Sequence, residues 1–217
     1  MLRGAIFDLD GVLVDSHPVH IRTWKRFLLA MGKTADEQDM DFILEGRKRE
    51  DILRHFLGDL TQEQVRTYGE QKELLFRHEA RTIGTIPGVR EFLNQLQRAS
   101  IPMAVATCGG RGRVDYLLDA LGLRMYFQVI VTGDDVKKGK PDPAIFDEAA
   151  RRLSLQAEDL LVVEDSISGV RAAKAAGMKC LGIAAQCRAR PLVEAGVDYV
   201  ISNFFDARVS EIRNAFP

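Results

Sequence analysis

The chain has 217 residues, 46% of them hydrophobic and 28% charged, which is the balance of an ordinary globular protein with a sizeable core. Its 30 Lys and Arg and 31 Asp and Glu leave a formal net charge of −1, so no global charge recruits nucleic acid or an anionic membrane. The apolar stretches are strand-sized, well short of the roughly 20 residues that a membrane-spanning helix needs.

The cysteines Cys108, Cys180 and Cys187 are scattered without paired spacing, so they predict neither a disulfide framework nor a zinc site. The N-terminus runs directly into an apolar strand, without the charged lead and apolar core of a signal segment. We therefore expect a cytoplasmic protein that contacts neither nucleic acid nor membrane.

The first predicted strand, AIFDLD, delivers two carboxylates to one place. Asp8 and Asp10 emerge on the same face if the strand persists through both of them. Two like charges repel at such a distance unless a cation or a proton separates them. The simplest alternative is an aspartate that caps the following helix.

Helical patterns replace strands between residues 16 and 82. The segments HPVHIRTWKRFLLAMGK, REDILRHFLGD and TQEQVRTYGEQKELLFRHEARTIG have helical period and carry no convincing strand. They predict a helical cap domain, 16–82, inserted into a core of 1–15 and 83–217. The hinges of this cap would lie near Asp15-Ser16 and near residues 82–87.

From residue 83 onward, short apolar strands alternate with amphipathic helices. The predicted strands are PMAVAT, QVIVTG, LLVVED, CLGIAA and DYVIS, and the helices are IPGVREFLNQLQRAS, GRVDYLLDALGL, DPAIFDEAARRLS, SGVRAAKAAGM and ARPLVEAG. This alternation predicts an α/β fold: a doubly wound parallel sheet, Rossmann-like, with the helical cap inserted.

Ligands of such a sheet bind beyond the carboxyl ends of its strands. Those ends carry carboxylates, a Gly-rich turn and a lysine: Asp8, Asp10, Glu164, Asp165, Thr107-Cys108-Gly109-Gly110 and Lys140. Carboxylate oxygens suit Mg²⁺, with Asp8 and Asp165 as natural ligands, Glu164 in support and the Asp10 carbonyl as a further donor. The glycine turn can cradle an anion through its N–H groups. The alternatives are a helix cap at Asp165 or Ser166, a plain turn, and a solvated loop lysine.

Competing motifs fail on spacing. Gly133 and Gly139 enclose five residues where a P-loop needs four, and Pro141 follows Lys140. GGRGRV lacks the third glycine of a dinucleotide fingerprint, and no GxSxG occurs. Cys108 as a thiol nucleophile lacks an obvious histidine in the core domain.

The ordered set Asp8-x-Asp10-Gly11, Thr107 after a strand, Lys140-Pro141 and Glu164-Asp165-Ser166-x-x-Gly169 resembles the haloacid dehalogenase superfamily, in its β-phosphoglucomutase-like branch. The resemblance covers essentially the whole chain. It implies that Asp8 is a nucleophile that forms an aspartyl-phosphate. Asp10 would be the general acid and base, keeping its proton while Mg²⁺ keeps Asp8 ionised.

The same resemblance implies that Thr107 and Lys140 hold the phosphoryl oxygens and that Glu164 and Asp165 complete the Mg²⁺ site. The family's polar residue two positions after Thr107 is Gly109 here, so that contact falls to the backbone of Cys108 and Gly109. On the cap side, the residues at corresponding spacings are Ser16, His20, Trp24, Arg49 and Lys72. Four of them have an alternative: packing in the cap for Trp24, and a solvated helix position for His20, Arg49 and Lys72.

Glu45 departs from the mutase pattern, because the mutase has a lysine before the glycine where this chain reads ILEGRKRED. A carboxylate is poorly suited to receive a second phosphate group. Glu45 would instead reach the metal when the cap closes, as in relatives that cleave pyrophosphate, or stay a solvated loop residue.

We therefore expect a monomeric Mg²⁺-dependent phosphohydrolase of a small phosphate ester or pyrophosphate. The first alternative is a β-phosphoglucomutase that interconverts β-glucose 1-phosphate and glucose 6-phosphate. A distant alternative is a phosphoacceptor or binding module without turnover.

Overall fold

The computed structural model describes residues 1–185 and 189–214, so Cys187 lies outside the described residues. Six parallel strands form one sheet in the order β3-β2-β1-β4-β5-β6. Their bounds are β1 Gly4–Phe7, β2 Met103–Ala106, β3 Val129–Val131, β4 Leu160–Glu164, β5 Lys179–Ile183 and β6 Tyr199–Ile201. Four of them fall within a predicted strand segment, whereas β1 and β5 begin one residue before theirs, and the predicted fold class is confirmed.

Ten α-helices accompany the strands in the described part of the chain. They are α1 His17–Ala30, α2 Glu37–Leu44, α3 Arg49–Leu57, α4 Gln62–Glu79, α5 Val89–Arg98, α6 Arg111–Ala120, α7 Ala144–Leu153, α8 Ile167–Ala175, α9 Ala189–Glu194 and α10 Val209–Asn214. α2 and α10 were not predicted. The N-terminal signal of α2 was nevertheless present, because Asp36 and Asp39 form a capping box.

The central strand supplies side chains to both faces of the sheet. Ala5 and Phe7 belong to one buried cluster, whereas Ile6 belongs to the cluster on the opposite face. Phe7 meets the edges of Phe92 and Phe127 at centroid distances of 6.1 and 6.0 Å. Both faces of β1 are therefore covered, as its uninterrupted apolar sequence requires.

The segment that contains α1 to α4 has an apolar cluster of its own. Trp24, Phe27, Leu28, Met40, Ile43, Ile52, Leu53 and Val65 are buried in it. Its two connections to the sheet run side by side, where the Asp15 N–H donates to the Gly84 carbonyl at 3.0 Å. This arrangement is what a helical cap needs, and the domain bounds 16–82 stay a prediction.

The order of the strands places a crevice at the end of β1. The chain builds β2 and β3 on one side of β1 and then returns to place β4 on the other side. The crevice of a doubly wound sheet lies at such a reversal, outside the carboxyl ends of the strands. None of the described helices is long and apolar enough to cross a membrane.

Candidate active site

Asp8 stands at the end of the central strand. β1 itself ends at Phe7, so the strand does not persist through Asp8 and Asp10 as the alternation argument required. The two side chains nevertheless line one cavity, and Gly11 turns the chain directly after Asp10 with φ +76°. A Cβ at Gly11 would overlap the Asp165 carboxylate, so only glycine fits this turn.

Lys140 joins the ends of β1 and β4. Its Nζ lies 2.6 Å from Asp8 Oδ1 and also contacts Glu164 Oε1, and its side chain is fully buried. Burial lowers the pKa of Lys140, but the carboxylates of Asp8 and Glu164 outweigh it and raise that pKa above its ordinary value. The lysine is therefore a fixed positive charge beside Asp8 and not a solvated loop residue.

The Glu164-Asp165-Ser166-x-x-Gly169 motif has a local structural reason. Glu164 Oε2 accepts hydrogen bonds from the N–H groups of Asp165 and Ser166 and from Ser166 Oγ, at 2.9 to 3.0 Å. Ser166 Oγ in turn accepts from the Gly169 N–H, which confirms the helix-cap interpretation for Ser166. A Cβ at Gly169 would overlap the Glu164 carboxylate.

The carboxylates at this edge fit a divalent cation. Burial raises the pKa of Asp8 to about 7, and the nearby carboxylates of Glu164 and Asp10 add to the rise, although the positive charge of Lys140 opposes it. Burial and repulsion from Glu164 and Asp8 likewise raise the pKa of Asp165 well above its usual value. A cation between Asp8 and Asp165 would relieve this repulsion.

No group of three or more His, Cys, Asp or Glu side chains among the described residues is arranged to hold a metal alone. Mg²⁺ does not need one, because it usually keeps several waters and binds one or two carboxylates together with substrate phosphate. Both carboxylate oxygens of Glu164 already accept protein hydrogen bonds, so its role as a ligand stays a prediction. The role of the Asp10 carbonyl as a further Mg²⁺ ligand also stays a prediction.

Asp10 is held by three donors that converge on one oxygen. Its Oδ1 lies 2.6 Å from Ser16 Oγ, 2.8 Å from Arg113 Nη1 and 3.2 Å from His20 Nε2. Burial raises the pKa of Asp10, but Arg113 and His20 outweigh it and hold that pKa well below its usual value. The cation Arg113, which the sequence did not reveal, favours the carboxylate form of Asp10 in this arrangement, and a proton on Asp10 during the reaction stays a prediction.

His20 and Lys72 continue the chain of contacts from Asp10 into α4. His20 Nδ1 lies 3.0 Å from Lys72 Nζ, and Lys72 stands 5.0 Å from the Trp24 ring centroid. Burial and the charge of Lys72 lower the pKa of His20 to about 3, so the ring is neutral. Burial and Arg113 lower the pKa of Lys72 to about 7. His20 Nε2 lies 2.5 Å from Arg113 Nη1 as well as 3.2 Å from Asp10 Oδ1, so the tautomer of the ring decides whether Nε2 accepts from Arg113 or donates to Asp10.

The turn after β2 leaves room for Arg113. Thr107 Oγ1 accepts from the Gly109 N–H at 3.2 Å. A Cβ at Gly109 would overlap Arg113 Nη2 and lie 3.1 Å from its Cζ, so the glycine lets the guanidinium reach Asp10. Burial raises the pKa of the Cys108 thiol, which disfavours it as a nucleophile.

The cap side of the cavity carries more charge than the sequence predicted. Arg49 lines it, with its guanidinium packed over Gly69 of α4, and Arg47 and Glu73 line it as well. Trp24 also lines this wall, although most of it is packed in the apolar cluster of α1 to α4.

Glu45 lies outside the described lining of this cavity. Its Oε2 accepts the Ser168 N–H of α8 at 3.1 Å, and its carbonyl contacts Ser168 Oγ. A contact between Glu45 and the metal stays a prediction, and in this arrangement the residue joins the segment after α2 to the core.

His17, Arg47, Glu73 and Arg113 line the cavity and were missed by the sequence analysis. His17 Nε2 lies 3.2 Å from Asp165 Oδ2. The only signal for Arg113 was its place in GGRGRV, which was considered only as a dinucleotide motif. Nothing in the sequence relates Arg113 to Asp10, because 103 positions separate them.

The site has a buried aspartate at the switch point of a parallel sheet, with a lysine beside it and a helical segment facing it. This arrangement is typical of proteins that transfer phosphoryl groups. The family model described as Haloacid dehalogenase-like hydrolase matches residues 5–183. The chain belongs to this family, and it is an enzyme of the phosphatase or phosphotransferase type.

Relatives of known activity agree with that assignment. The chain is 34% identical over 190 residues to the phosphorylated carbohydrates phosphatase of Thermotoga maritima, covering 82% of this chain and 83% of that protein. It is 30% identical over 214 residues to the β-phosphoglucomutase of Bacillus subtilis, covering 94% and 91%. A solved HAD hydrolase of family IA, variant 3, from Entamoeba histolytica superposes with a TM-score of 0.87 at 27% identity and covers 99% of each chain.

Proposed function

We propose that the protein is a Mg²⁺-dependent phosphohydrolase of small phosphate esters that works through an aspartyl-phosphate on Asp8. The observation that carries this proposal is the buried Asp8 carboxylate, with Lys140 Nζ at 2.6 Å, beside a second aspartate that contacts Ser16 and His20. Mg²⁺, which phosphatases of this family generally use, would be held by Asp8 and Asp165 and would offset charge on the transferring phosphoryl group.

Asp8 would attack phosphorus, and Lys140 with the turn at Thr107 would bind the phosphoryl oxygens. Charge stabilisation and positioning are most of what phosphoryl transfer requires. Asp8 and Thr107 directly follow β1 and β2, and Lys140 lies in the connection from β3 to α7, where its contacts with Asp8 and Glu164 hold it.

Asp10 would move the proton. In the arrangement described here it is a carboxylate, which suits a base that activates water to cleave the aspartyl-phosphate. Protonating the leaving group requires a proton on Asp10, and therefore a weaker contact with Arg113 than the 2.8 Å seen here. The lysine and histidine of the cap, Lys72 and His20, stand behind Asp10.

Substrates with a second anionic group are the other candidates, and one observation favours them. Arg47, Arg49, Lys72 and Arg113 all line the cavity, more cations than a single phosphoryl group needs. Pyrophosphate or a sugar bisphosphate would match them, and the latter would serve a β-phosphoglucomutase. A small phosphorylated metabolite as partner, and a monomeric enzyme, stay predictions.

A substrate panel with and without Mg²⁺ tests the proposal. Phosphate release would be measured from sugar phosphates, polyol phosphates and pyrophosphate, beside formation of glucose 6-phosphate from β-glucose 1-phosphate. We expect ester hydrolysis that EDTA abolishes and that Asp8→Asn lowers by at least about a thousandfold. Appreciable metal-dependent turnover by Asp8→Asn would sink the assignment, and glucose 6-phosphate formation without phosphate release would favour the mutase.

A further inference from the structure

The connection from α2 to α3 lies directly across the side chain of Lys140. A Cβ at Gly46 would lie 3.4 Å from Lys140 Cδ and 3.2 Å from Ser166 Oγ, so the backbone of this connection packs against the stem of the lysine. The Lys140 side chain is fully buried, although it belongs to the connection between β3 and α7. Part of its burial therefore comes from the inserted helical segment and not from the sheet.

Lys48 joins the same connection to the chain just before Lys140. Its Nζ donates to the Val136 carbonyl at 2.8 Å and to the Lys137 carbonyl at 3.4 Å. Its stem crosses Gly139, where a Cβ would overlap Lys48 Cγ and lie 3.3 Å from Lys48 Cδ. One side chain thus contacts three of the four residues that immediately precede Lys140.

The segment that carries Lys140 depends on such contacts. Residues 132–143 form turns and bends, so side-chain contacts rather than a strand or a helix set its position. Asp135 fixes the first part of this segment, because its carboxylate accepts from Thr132 and from two arginines. Lys48 holds the second part, and a hydrogen bond from a charged donor is stronger than one between neutral groups.

Lys48 lies between two arginines of the active-site wall but does not share their position. Arg47 and Arg49 line the cavity, whereas Lys48 lies outside its described lining. Lys48 instead lines a separate surface depression together with Lys137 and Gly139. Its ammonium group is therefore directed to backbone carbonyls and not toward a substrate in the cavity.

We propose that Lys48 is a positioning residue, which holds the segment before Lys140 and so keeps the Lys140 ammonium group at the phosphoryl site beside Asp8. This proposal rests on the proposed function for the role of Lys140 in binding phosphoryl oxygens. The alternative is a surface lysine whose contacts have no consequence for Lys140.

Hydrogen exchange, followed by mass spectrometry without substrate, tests the contact itself. Lys48→Met keeps a stem over Gly139 and removes the ammonium donor. We expect peptides that cover residues 134–140 to exchange roughly tenfold faster in this variant, the lower end of the range for a hydrogen bond from a charged group. Lys25→Met, at an exposed position of α1, is the matched control and should leave these peptides unchanged. Unchanged exchange in Lys48→Met would overturn the proposal.

Inorganic phosphate with Mg²⁺ is the probe for the consequence at the active site. We expect titration calorimetry to show roughly tenfold weaker phosphate binding by Lys48→Met. Lys138→Met removes a charge of the same sign from an exposed neighbouring position that pairs with Asp142, and should stay within about twofold of the unchanged protein. Equal losses for the two variants would show that Lys48 acts by its charge alone, and no loss for Lys48→Met would show that its contacts have no consequence. Either result overturns the proposal.

A double-mutant cycle tests whether Lys140 carries the effect. When Lys140 is already replaced in Lys140→Met, the further change Lys48→Met should weaken phosphate binding by less than about twofold, because the group that Lys48 positions is gone. A tenfold loss in both backgrounds would overturn the proposal. If the double variant does not fold, the comparison of Lys48→Met with Lys138→Met decides.

The outcomes for Lys48 and for the proposed function are distinguishable. Faster exchange and weaker phosphate binding in Lys48→Met, without cleavage of any ester by the unchanged protein, would support the role of Lys48 and overturn the hydrolase. Ester cleavage by the unchanged protein, with exchange and phosphate affinity unaffected in Lys48→Met, would overturn the role of Lys48 alone.

Discussion

Gly109→Ala tests whether the space at this glycine places Arg113 on the catalytic aspartate. The new Cβ would overlap Arg113 Nη2 and approach Cζ to 3.1 Å. The backbone at Gly109 does not need a positive φ, so the added methyl group acts only through this overlap. The obstacle is the end of a long side chain, so we expect the fold to survive and the guanidinium to move off Asp10.

The size of the effect follows from the contact that is lost. Arg113 Nη1 lies 2.8 Å from Asp10 Oδ1, and a hydrogen bond between charged groups contributes about 1.5–3 kcal/mol. If the reaction uses this contact, kcat/KM should fall roughly 10- to 100-fold. The assay is phosphate release from the best substrate of the panel, beside thermal unfolding to check the fold.

Gly110→Ala is the matched control, because a Cβ there meets nothing closer than Asp134 Oδ2 at 3.6 Å. We expect it to keep activity within a few fold, with at most about 1 kcal/mol lost at the N-cap of α6. Arg113→Ala should reproduce the loss seen for Gly109→Ala. Full activity of Gly109→Ala, or an equal loss for the two glycines, would refute the reasoning.

Three further predictions concern Lys140, Lys72 and Glu45. Lys140→Met leaves the carboxylates of Asp8 and Glu164 buried side by side without the lysine cation. The free energy of unfolding, measured with urea, should therefore fall by about 3–5 kcal/mol, and unchanged stability would contradict the buried ion pair. The pKa of Lys72 is lowered to about 7 in the folded protein. Between about pH 7 and the ordinary pKa of lysine, the folded state therefore binds fewer protons than the unfolded state, and stability rises with pH. Burying the charged lysine consequently costs the most stability below pH 7. Lys72→Met should therefore increase the free energy of unfolding more at pH 6.5 than at pH 9, and a gain independent of pH would argue against a depressed pKa. Glu45→Ala removes the bond to α8 and should lower kcat/KM about fivefold for esters and pyrophosphate alike, whereas a loss confined to pyrophosphate would instead place Glu45 on the metal.

The sequence determined the sheet and the groups at its strand ends. Short apolar runs separated by amphipathic helices leave few alternatives to a parallel α/β sheet, because each strand is buried on both faces. Polar residues that interrupt those runs must lie at the carboxyl ends, which is why Asp8, Thr107 and Asp165 could be assigned to one crevice before any contact was known. The positions of Gly11 and Gly169 carried the same information, since each leaves space that a neighbouring carboxylate fills.

The tertiary structure alone decided which charges meet. Arg113 on α6 and Asp10 after β1 are 103 positions apart, and only the packing of α6 brings the guanidinium to the carboxylate. Arg113 contributes most to the lowered pKa of Asp10, because a pKa depends on charges within a few ångströms and not on neighbours in sequence. The same holds for Glu45, which contacts Ser168 because the α2–α3 connection packs against α8.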